Sequence, residues 1–202
     1  DLTDVQWLIL EPLLLAILKQ SKRGRRRRVE LREIVNAIRY VSRTGCAWRL
    51  LPHDFPAWQT VYGYFRRWRD AGVWEQLNDD LRDAVRTEAA RDTEPSAAII
   101  DSQSVKTSPV AGERGFDGPK LVTGRKRHIL VDVMGLLLVV LVHKASIQER
   151  AGAQSLLQRA KQKGFERLLL IWADGGYSGQ PMIDWVFALA GWLFEVVKRS
   201  DD

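Results

Sequence analysis

The chain has 202 residues, of which 46% are hydrophobic and 28% are charged, so it can bury the core of one large domain or of two small ones. No run of 18 apolar residues occurs, so we do not expect a transmembrane helix. Cys46 is the only cysteine, and the three histidines form no Cys/His spacing of a metal site. An internal disulfide is thereby excluded, and we expect a cytoplasmic protein.

The net charge of +6 is concentrated in two segments. Residues 19–49 carry eleven lysines and arginines against two glutamates, and residues 103–127 carry six basic against two acidic side chains. Two separate basic clusters suggest a polyanionic partner that is contacted at two places. A solvated surface with chance clustering is the alternative, and charge alone does not decide between them.

A first helix is predicted near the amino terminus. Residues 3–6, Thr-Asp-Val-Gln, have the spacing of a capping box, in which two side chains bond the backbone N–H groups at the start of a helix. Trp7, Leu10 and Leu14 then form an apolar stripe. Pro12 lies within this pattern and is expected to bend or end the helix, because proline lacks the N–H group that a helix uses.

A basic arm is predicted after this helix. Residues 19–28 have no apolar periodicity and consist mostly of basic side chains. An arm of this kind can lie along DNA phosphates or reach into a minor groove. The candidate DNA contacts within it are Arg25, Arg26, Arg27 and Arg28.

Three further helices are predicted before the middle of the chain. One covers residues 30–43 and ends at Gly45, and the next opens at residues 54–56 and stops at Gly72. A fourth covers residues 74–90. Its inward side chains are predicted to be Trp74, Leu77, Leu81 and Val85.

The helix that opens at residues 54–56 has one apolar face and one polar face. The polar face carries Gln59, Arg66 and Arg67, which suit base edges and phosphates. Together with the preceding helix it is similar to a helix-turn-helix, although the connection at residues 44–56 is longer than the standard turn. A small helical bundle with ordinary surface arginines is the alternative.

After a linker at residues 93–96 the hydrophobic period changes from helix to strand. Residues 126–133 and 136–143 are predicted to form a hairpin around Gly135. Residues 146–149, Ser-Ile-Gln-Glu, have the spacing of a second capping box. The remaining predicted elements are a strand at 97–105, a loop at 107–124, a helix that ends near Gly164, a strand up to Asp174, a helix at 181–190 and a strand at 192–197.

Two of the predicted strands lead into an aspartate. Asp101 follows residues 97–100, and Asp174 follows the apolar residues 168–173. If the two strands are neighbours, the carboxylates converge and repel each other, and a divalent cation is what usually reconciles such a pair. The alternative is a role in turns, in which Asp101 caps a turn and Asp174 forms one with the glycines that follow it.

The second half resembles the RNase H-like core of the DDE transposases of bacterial insertion sequences, of the insertion-sequence-four/five type. The motifs that carry the resemblance are residues 101–106 (DSQSVK), residues 124–129 (GRKRHI) with Asp132 and Gly135, and residues 173–177 (ADGGY). The first half resembles the leading helical domain of that family through Thr3-Asp4 with Trp7, residues 45–49 (GCAWR) with Leu51-Pro52, and Tyr64-Phe65 with Trp68.

The resemblance implies a metal-dependent site. In such enzymes the two aspartates, here Asp101 and Asp174, and a later glutamate hold two Mg²⁺ or Mn²⁺ ions, which generate the nucleophile and stabilise the leaving oxygen. The family's glutamate lies on a helix after the last strand, and this sequence ends at about that point, so we expect a carboxyl-terminally truncated member. Glu149 is assigned to its capping box and Asp132 to the structure of the hairpin.

The resemblance also implies DNA as the partner. The basic side chains that flank the acids are expected to bind DNA phosphates, namely Lys106, Arg125, Lys126 and Arg127. We expect double-stranded DNA, both the terminal repeats of the element and its target, and a homo-oligomer on that DNA. No membrane is expected, and the location is the bacterial cytoplasm, at the nucleoid.

The predicted fold class is α+β, with a helical, helix-turn-helix-like DNA-binding domain at residues 1–92, a linker at 93–96, and an α/β RNase H-like mixed sheet at 97–202 that is incomplete at its carboxyl end. The first hypothesis for the function is a transposase that cleaves and transfers the strands of an insertion element and is here catalytically incomplete. The alternatives are a non-catalytic DNA-binding relic or inhibitor of the full transposase, and an RNase H-like nuclease that cleaves without joining.

Overall fold

The computed structural model describes residues 1–19, 29–107 and 112–197. Contacts within the chain divide it into two compact units, Asp1–Leu81 and Arg82–Asp202. This division falls within a helix, and the domain limits at residues 92 and 97 stay a prediction.

The described part of the first unit is built from helices. They are α1 (Asp4–Lys19), α2 (Leu31–Thr44), a short 3₁₀ helix (Trp48–Leu50), α3 (Trp58–Asp70) and the beginning of α4 (Val73–Glu88). The four predicted α-helices are therefore present. The basic run at residues 20–28 lies outside the described residues.

The capping box predicted at the start of α1 is confirmed. Gln6 N donates to Thr3 Oγ1 over 3.2 Å, and Thr3 N donates to Gln6 Oε1 over 3.1 Å. A helix end at Pro12 is wrong, because α1 continues well beyond it. Leu14, which follows the proline, is buried in the core of the unit, and such packing outweighs one lost backbone hydrogen bond.

The apolar stripes of α2 and α3 form the core of the first unit. Ile34 of α2 and Val61 of α3 are fully buried in one cluster that also contains Trp68. Trp68 meets Trp74 of α4 edge to face, with 5.4 Å between the ring centroids. Gly45 ends α2 with a φ of 68°, a left-handed conformation that glycine adopts without steric cost, as the sequence predicts.

The inward face of α4 differs from the prediction in its second half. Leu77 is buried as predicted, but Val85 is 41% exposed. Beyond Leu81 the buried side chains of the helix are Arg82 and Arg86. The helical period is therefore right, but two arginines occupy the inward positions, and Arg86 forms an ion pair there with the buried Asp132.

Among the described residues, the second unit contains a six-stranded sheet and two α-helices besides the end of α4. Its elements are β1 (Ala97–Lys106), β2 (Gly115–Asp117), β3 (Val122–Asp132), β4 (Leu137–Lys144), α5 (Glu149–Lys163), β5 (Leu170–Ala173), a 3₁₀ turn (Gly175–Tyr177), α6 (Gln180–Ala190) and β6 (Leu193–Val196).

The sheet is mixed and has the strand order β2-β3-β1-β5-β6, with β4 also paired to β3. β1 is antiparallel to β3, whereas β1, β5 and β6 are parallel neighbours. The predicted hairpin of β3 and β4 is confirmed, and so is the α+β class. The loop predicted over residues 107–124 is wrong in part, because β2 lies within it and pairs with the first residues of β3.

The sheet has a covered face and an exposed face. Ile100, Leu130 and Ile171 are buried in the core that α5 and α6 complete. Side chains alternate along a strand, so Ile99 lies on the opposite face, where it is exposed. By the same alternation Asp101 belongs to the exposed face, where a large ligand can reach it.

Candidate active site beside two parallel strands

Of the two aspartates that were expected to converge, Asp101 lies on β1 and Asp174 directly follows its neighbour β5. Ile99 of β1 pairs with Trp172 of β5, which is the last pairing between these two parallel strands. The same register, continued by two residues, brings Asp101 level with Asp174. The predicted adjacency of the strands is thus confirmed, but Asp101 lies in the middle of β1, which runs on to Lys106. At that point β1 no longer pairs with β5.

Both carboxylates are exposed, and each accepts a hydrogen bond from the nearby backbone. Ser102 N donates to Asp101 Oδ1 over 2.7 Å, and Gly176 N donates to Asp174 Oδ1 over 2.9 Å. Asp174 thereby caps the 3₁₀ turn Gly175–Tyr177. The turn role that the sequence left open for Asp174 is real, and this bond engages only one oxygen of the carboxylate.

Two aspartates of this kind suit a hard cation such as Mg²⁺ or Mn²⁺, because carboxylate oxygen is the donor that such ions prefer. Within residues 1–19, 29–107 and 112–197, no group of three or more His, Cys, Asp or Glu side chains is arranged to hold a metal ion. Mg²⁺ is commonly bound through one or two carboxylates, with waters and substrate phosphates as its other ligands. Asp101 and Asp174 therefore fit an ion that binds together with a phosphate.

Glu149 contacts the site through a route that the sequence did not predict. The capping box at residues 146–149 is wrong, because Gln148 is the N-cap of α5 and makes no side-chain cap bond. The Glu149 carboxylate instead accepts from Ser102 Oγ over 3.1 Å and from Lys120 Nζ over 2.9 Å. Residues 146–149 have the spacing of a capping box, but the partner of Glu149 is Ser102, which lies 47 residues away in the chain. A local sequence pattern cannot indicate so distant a partner.

Lys120, between β2 and β3, brings a positive charge to the acid-bearing edge. Burial lowers the pKa of its ammonium group. The hydrogen bond and charge of Glu149, together with the charges of Asp117 and Asp101, outweigh burial and raise that pKa above its ordinary value. The lysine is therefore charged throughout the neutral range. Lys120 was not predicted as a site residue, because it lies in a segment without hydrophobic periodicity and its charge alone indicates no particular role.

Lys126, an expected DNA contact, is buried on the covered face of the sheet. Its Nζ lies 3.1 Å from Asp117 Oδ2 and donates to the backbone O of Ile147 over 3.2 Å. Burial raises the pKa of the Asp117 carboxyl, but hydrogen bonds from Ser104 and Lys126 outweigh burial and hold it below its ordinary value. Lys126 therefore has an ionised partner inside the protein, and separating the two would leave a buried charge unpaired.

The other expected DNA contacts lie at the surface wherever the structure describes them. The exposed ones are Gln59, Arg66, Arg67, Lys106 and Arg127. Arg125 is half-buried, and its Nε donates to the backbone O of Glu113 over 3.3 Å. The arginines of the arm, Arg25 to Arg28, lie outside the described residues. Each unit thus presents basic side chains to solvent.

A pair of histidines is packed behind the acid-bearing edge. His128 Nδ1 and His143 Nε2 are 2.9 Å apart, so one ring nitrogen donates and the other accepts. Burial, with smaller effects from the charges of His143 and Lys126, lowers the pKa of His128 to about 4. His128 is therefore neutral at physiological pH and has a packing role.

Gly152 of α5 allows this packing, and replacing it with alanine is expected to destabilise the second unit by about 1–3 kcal/mol. A Cβ at Gly152 would lie 2.7 Å from His128 Nδ1 and 2.7 Å from His143 Nε2, closer than real Cβ contacts. Urea unfolding followed by circular dichroism measures the loss.

Gly63 in α3 is the matched control for this substitution. A Cβ there would meet only the end of the flexible Arg67 side chain, at 3.4 Å. Gly63→Ala should leave stability unchanged or raise it by up to about 1 kcal/mol through helix propensity. If Gly152→Ala raised the stability as much as Gly63→Ala, the close approach of the histidines to Gly152 would be contradicted.

An α+β fold with one aspartate within a strand and a second directly after its parallel neighbour is what we expected of a DNA transposase. Comparison with known families supports this class. Residues 2–78 match the family described as "Putative transposase of IS4/5 family", and residues 92–198 match the family described as "Transposase DDE domain".

A relative from Burkholderia cepacia, named "Insertion element IS402 uncharacterized 16.2 kDa protein", is 32% identical over 119 residues. The matched segment covers 57% of this chain and 80% of the relative. The DDE-domain match alone spans more than half of the chain, so the protein belongs to the DDE transposases of the IS4/5 type. This family acts on DNA with the help of divalent metal ions. None of the helices in the described ranges is both long and apolar enough to span a membrane.

Proposed function

We propose that the protein cleaves and joins DNA strands at the ends of an insertion element, with Asp101 and Asp174 as its metal-binding carboxylates. The pairing of β1 with β5 is the observation that supports this most, because its register carries Asp101 to the level of Asp174. Two like charges side by side are unfavourable without a cation. We therefore propose Mg²⁺ or Mn²⁺ as the cofactor.

The chemistry is a phosphoryl transfer. Metal ions held by Asp101 and Asp174 would supply activation of a water or a 3′-hydroxyl group and stabilisation of the leaving oxygen. The protein's own part is to hold the two carboxylates at one edge of the sheet and to orient the phosphodiester there. The exposure of both aspartates leaves space for a duplex to approach.

Two basic surfaces would bind the DNA. In the first unit, Gln59, Arg66 and Arg67 of α3 would read the terminal repeat together with the arm that contains Arg25 to Arg28. In the second unit, Lys106, Arg125 and Arg127 would contact phosphates near the acids. Because an element has two ends, we propose that copies of the chain assemble on them, in the bacterial cytoplasm.

The test is a salt titration of DNA binding by the full chain. The chain should bind a labelled duplex that carries an element end with an affinity that falls steeply as the salt concentration rises. Fluorescence anisotropy of the duplex measures this affinity. Each phosphate contact contributes a slope of about −0.9 in the log–log plot, so Arg66→Gln with Arg67→Gln should reduce the slope by roughly 0.9 per lost contact.

Arg69→Gln on the same helix is the matched control, because Arg69 already pairs with Asp70 at 2.8 Å. It should leave the slope nearly unchanged. An affinity that does not depend on salt would overturn the proposed DNA surfaces. A chain that binds the duplex with the expected salt slope but does not bind Mn²⁺ would favour a non-catalytic DNA-binding protein instead.

A further inference from the structure

The Glu149 side chain contacts both of the segments that carry the aspartates. Its Oε1 accepts from the hydroxyl of Ser102, the residue that follows Asp101. Its Oε2 lies against Gly176, whose N–H bonds Asp174, so closely that a Cβ at Gly176 would collide with it. One carboxylate at the start of α5 thus contacts both acid-bearing segments, beyond the point where β1 and β5 stop pairing.

Lys120 contacts both Glu149 and Ser102. Its Nζ lies 2.9 Å from Glu149 Oε1 and 3.4 Å from both the backbone O and the Oγ of Ser102. The Glu149 side chain is half-buried, at 26% exposed, whereas that of Lys120 is at the surface, at 38% exposed. A pair with one half-buried member and a shared third partner is held in one geometry more firmly than an isolated surface pair.

The charges explain why both members are required. Burial raises the pKa of the Glu149 carboxyl, but the hydrogen bond and charge of Lys120 and the bond from Ser102 outweigh burial and lower it. Without Lys120, Glu149 would lose its ion-pair partner, and a third negative charge would stand near Asp101 and Asp174. Repulsion would then favour movement of Glu149 away from the two segments that it joins.

We propose that Glu149 and Lys120 are positioning residues that tie the Asp101 segment to the Asp174 segment and thereby set the affinity of the two aspartates for a divalent cation. That a cation binds here rests on the proposed function. The link that Glu149 and Lys120 form between the two segments, called the tie below, rests on the contacts alone. Neither residue needs to contact the ion, since partners of metal ligands tune affinity by orienting them.

The first test measures Mn²⁺ affinity of the full chain by electron paramagnetic resonance of the free ion. Simple electrostatics predicts that Lys120→Met, which removes a positive charge, strengthens cation binding. The tie predicts the opposite, a loss of about tenfold for Lys120→Met and for Glu149→Ala alike. The double variant should lose no more than either single one, and Lys120→Arg should restore binding.

Lys161→Met is the matched control, at the other end of α5, where Lys161 contacts the backbone O of Leu189. It removes the same charge as Lys120→Met, from the helix that carries Glu149, and should leave Mn²⁺ affinity unchanged. Thermal unfolding of each variant checks that the fold is kept. Stronger Mn²⁺ binding by Lys120→Met would overturn the tie.

The second test needs no metal. Hydrogen–deuterium exchange of the full chain should become severalfold faster at residues 101–104 and 174–178 in Lys120→Met and Glu149→Ala, and stay unchanged at the centre of α6. Unchanged exchange at both segments would overturn the tie. Faster exchange in a chain whose wild type binds no Mn²⁺ would keep the tie and refute the proposed metal site.

Discussion

Mn²⁺ binding by the full chain is expected to fall by roughly 100-fold or more when Asp101 or Asp174 is replaced with asparagine. Changes to the partners of metal ligands already cost 10–100-fold in affinity, so loss of a charged ligand should cost at least as much. Asparagine keeps the size of the side chain and one carbonyl oxygen, which can still accept the local backbone bond. The loss therefore reports the charge that the cation needs.

Asp184→Asn is the control for this experiment. Asp184 is an exposed aspartate of α6 that accepts from Gln180 Nε2 over 2.8 Å. Its replacement makes the same chemical change within the same unit and should leave Mn²⁺ affinity as it is. Wild-type affinity in both Asp101→Asn and Asp174→Asn would show that the proposed metal site is wrong.

Asp132→Ala is expected to destabilise the second unit by about 3–5 kcal/mol, the usual result of breaking a buried ion pair from one side. Asp132 is 0% exposed and forms an ion pair with Arg86 of α4. Its Oδ1 also accepts from Met134 N over 2.9 Å and from Leu136 N over 2.8 Å, which closes the hairpin turn. Alanine would leave a buried guanidinium and two backbone donors without these bonds. Urea unfolding measures the loss.

Two variants make this measurement specific. Asp132→Asn keeps an acceptor for the turn and should lose less than Asp132→Ala, since only the charge is removed. Asp70→Ala breaks the exposed pair with Arg69 and should cost less than about 1 kcal/mol. A loss for Asp132→Ala as small as that for Asp70→Ala would show that the buried pair contributes no more than a surface pair.

Asp132 also illustrates what can and cannot be predicted from the sequence. Its structural role was predicted because it lies in the hairpin, where the family resemblance assigns no catalytic acid, and the turn bonds confirm it. Its partner Arg86 was not predicted, because the two residues are 46 positions apart in the chain. The apolar stripe of α4 pointed to Val85 instead, since a periodic pattern cannot tell a buried arginine from a solvated one.

The same limit applies to the candidate site. Strand periodicity and the acid motifs were sufficient to select Asp101 and Asp174, and the adjacency of their strands is confirmed. Lys126 was chosen as a DNA contact for its charge, yet alternation along β3 turns it toward Asp117. Lys120 and Glu149 meet 29 residues apart, so only the folded sheet brings them together.

Local sequence patterns were sufficient to predict the elements whose bonds close within a few residues. The capping box at Thr3 and the glycine ends of α2 and α5 belong to this group, because each is formed by the local backbone and one nearby side chain. Which charges are buried, which are paired and which face solvent is settled only in the folded chain. Those outcomes depend on strand register and on desolvation by distant residues, and a charged side chain has the same appearance in the sequence whether it meets water, phosphate or a buried partner.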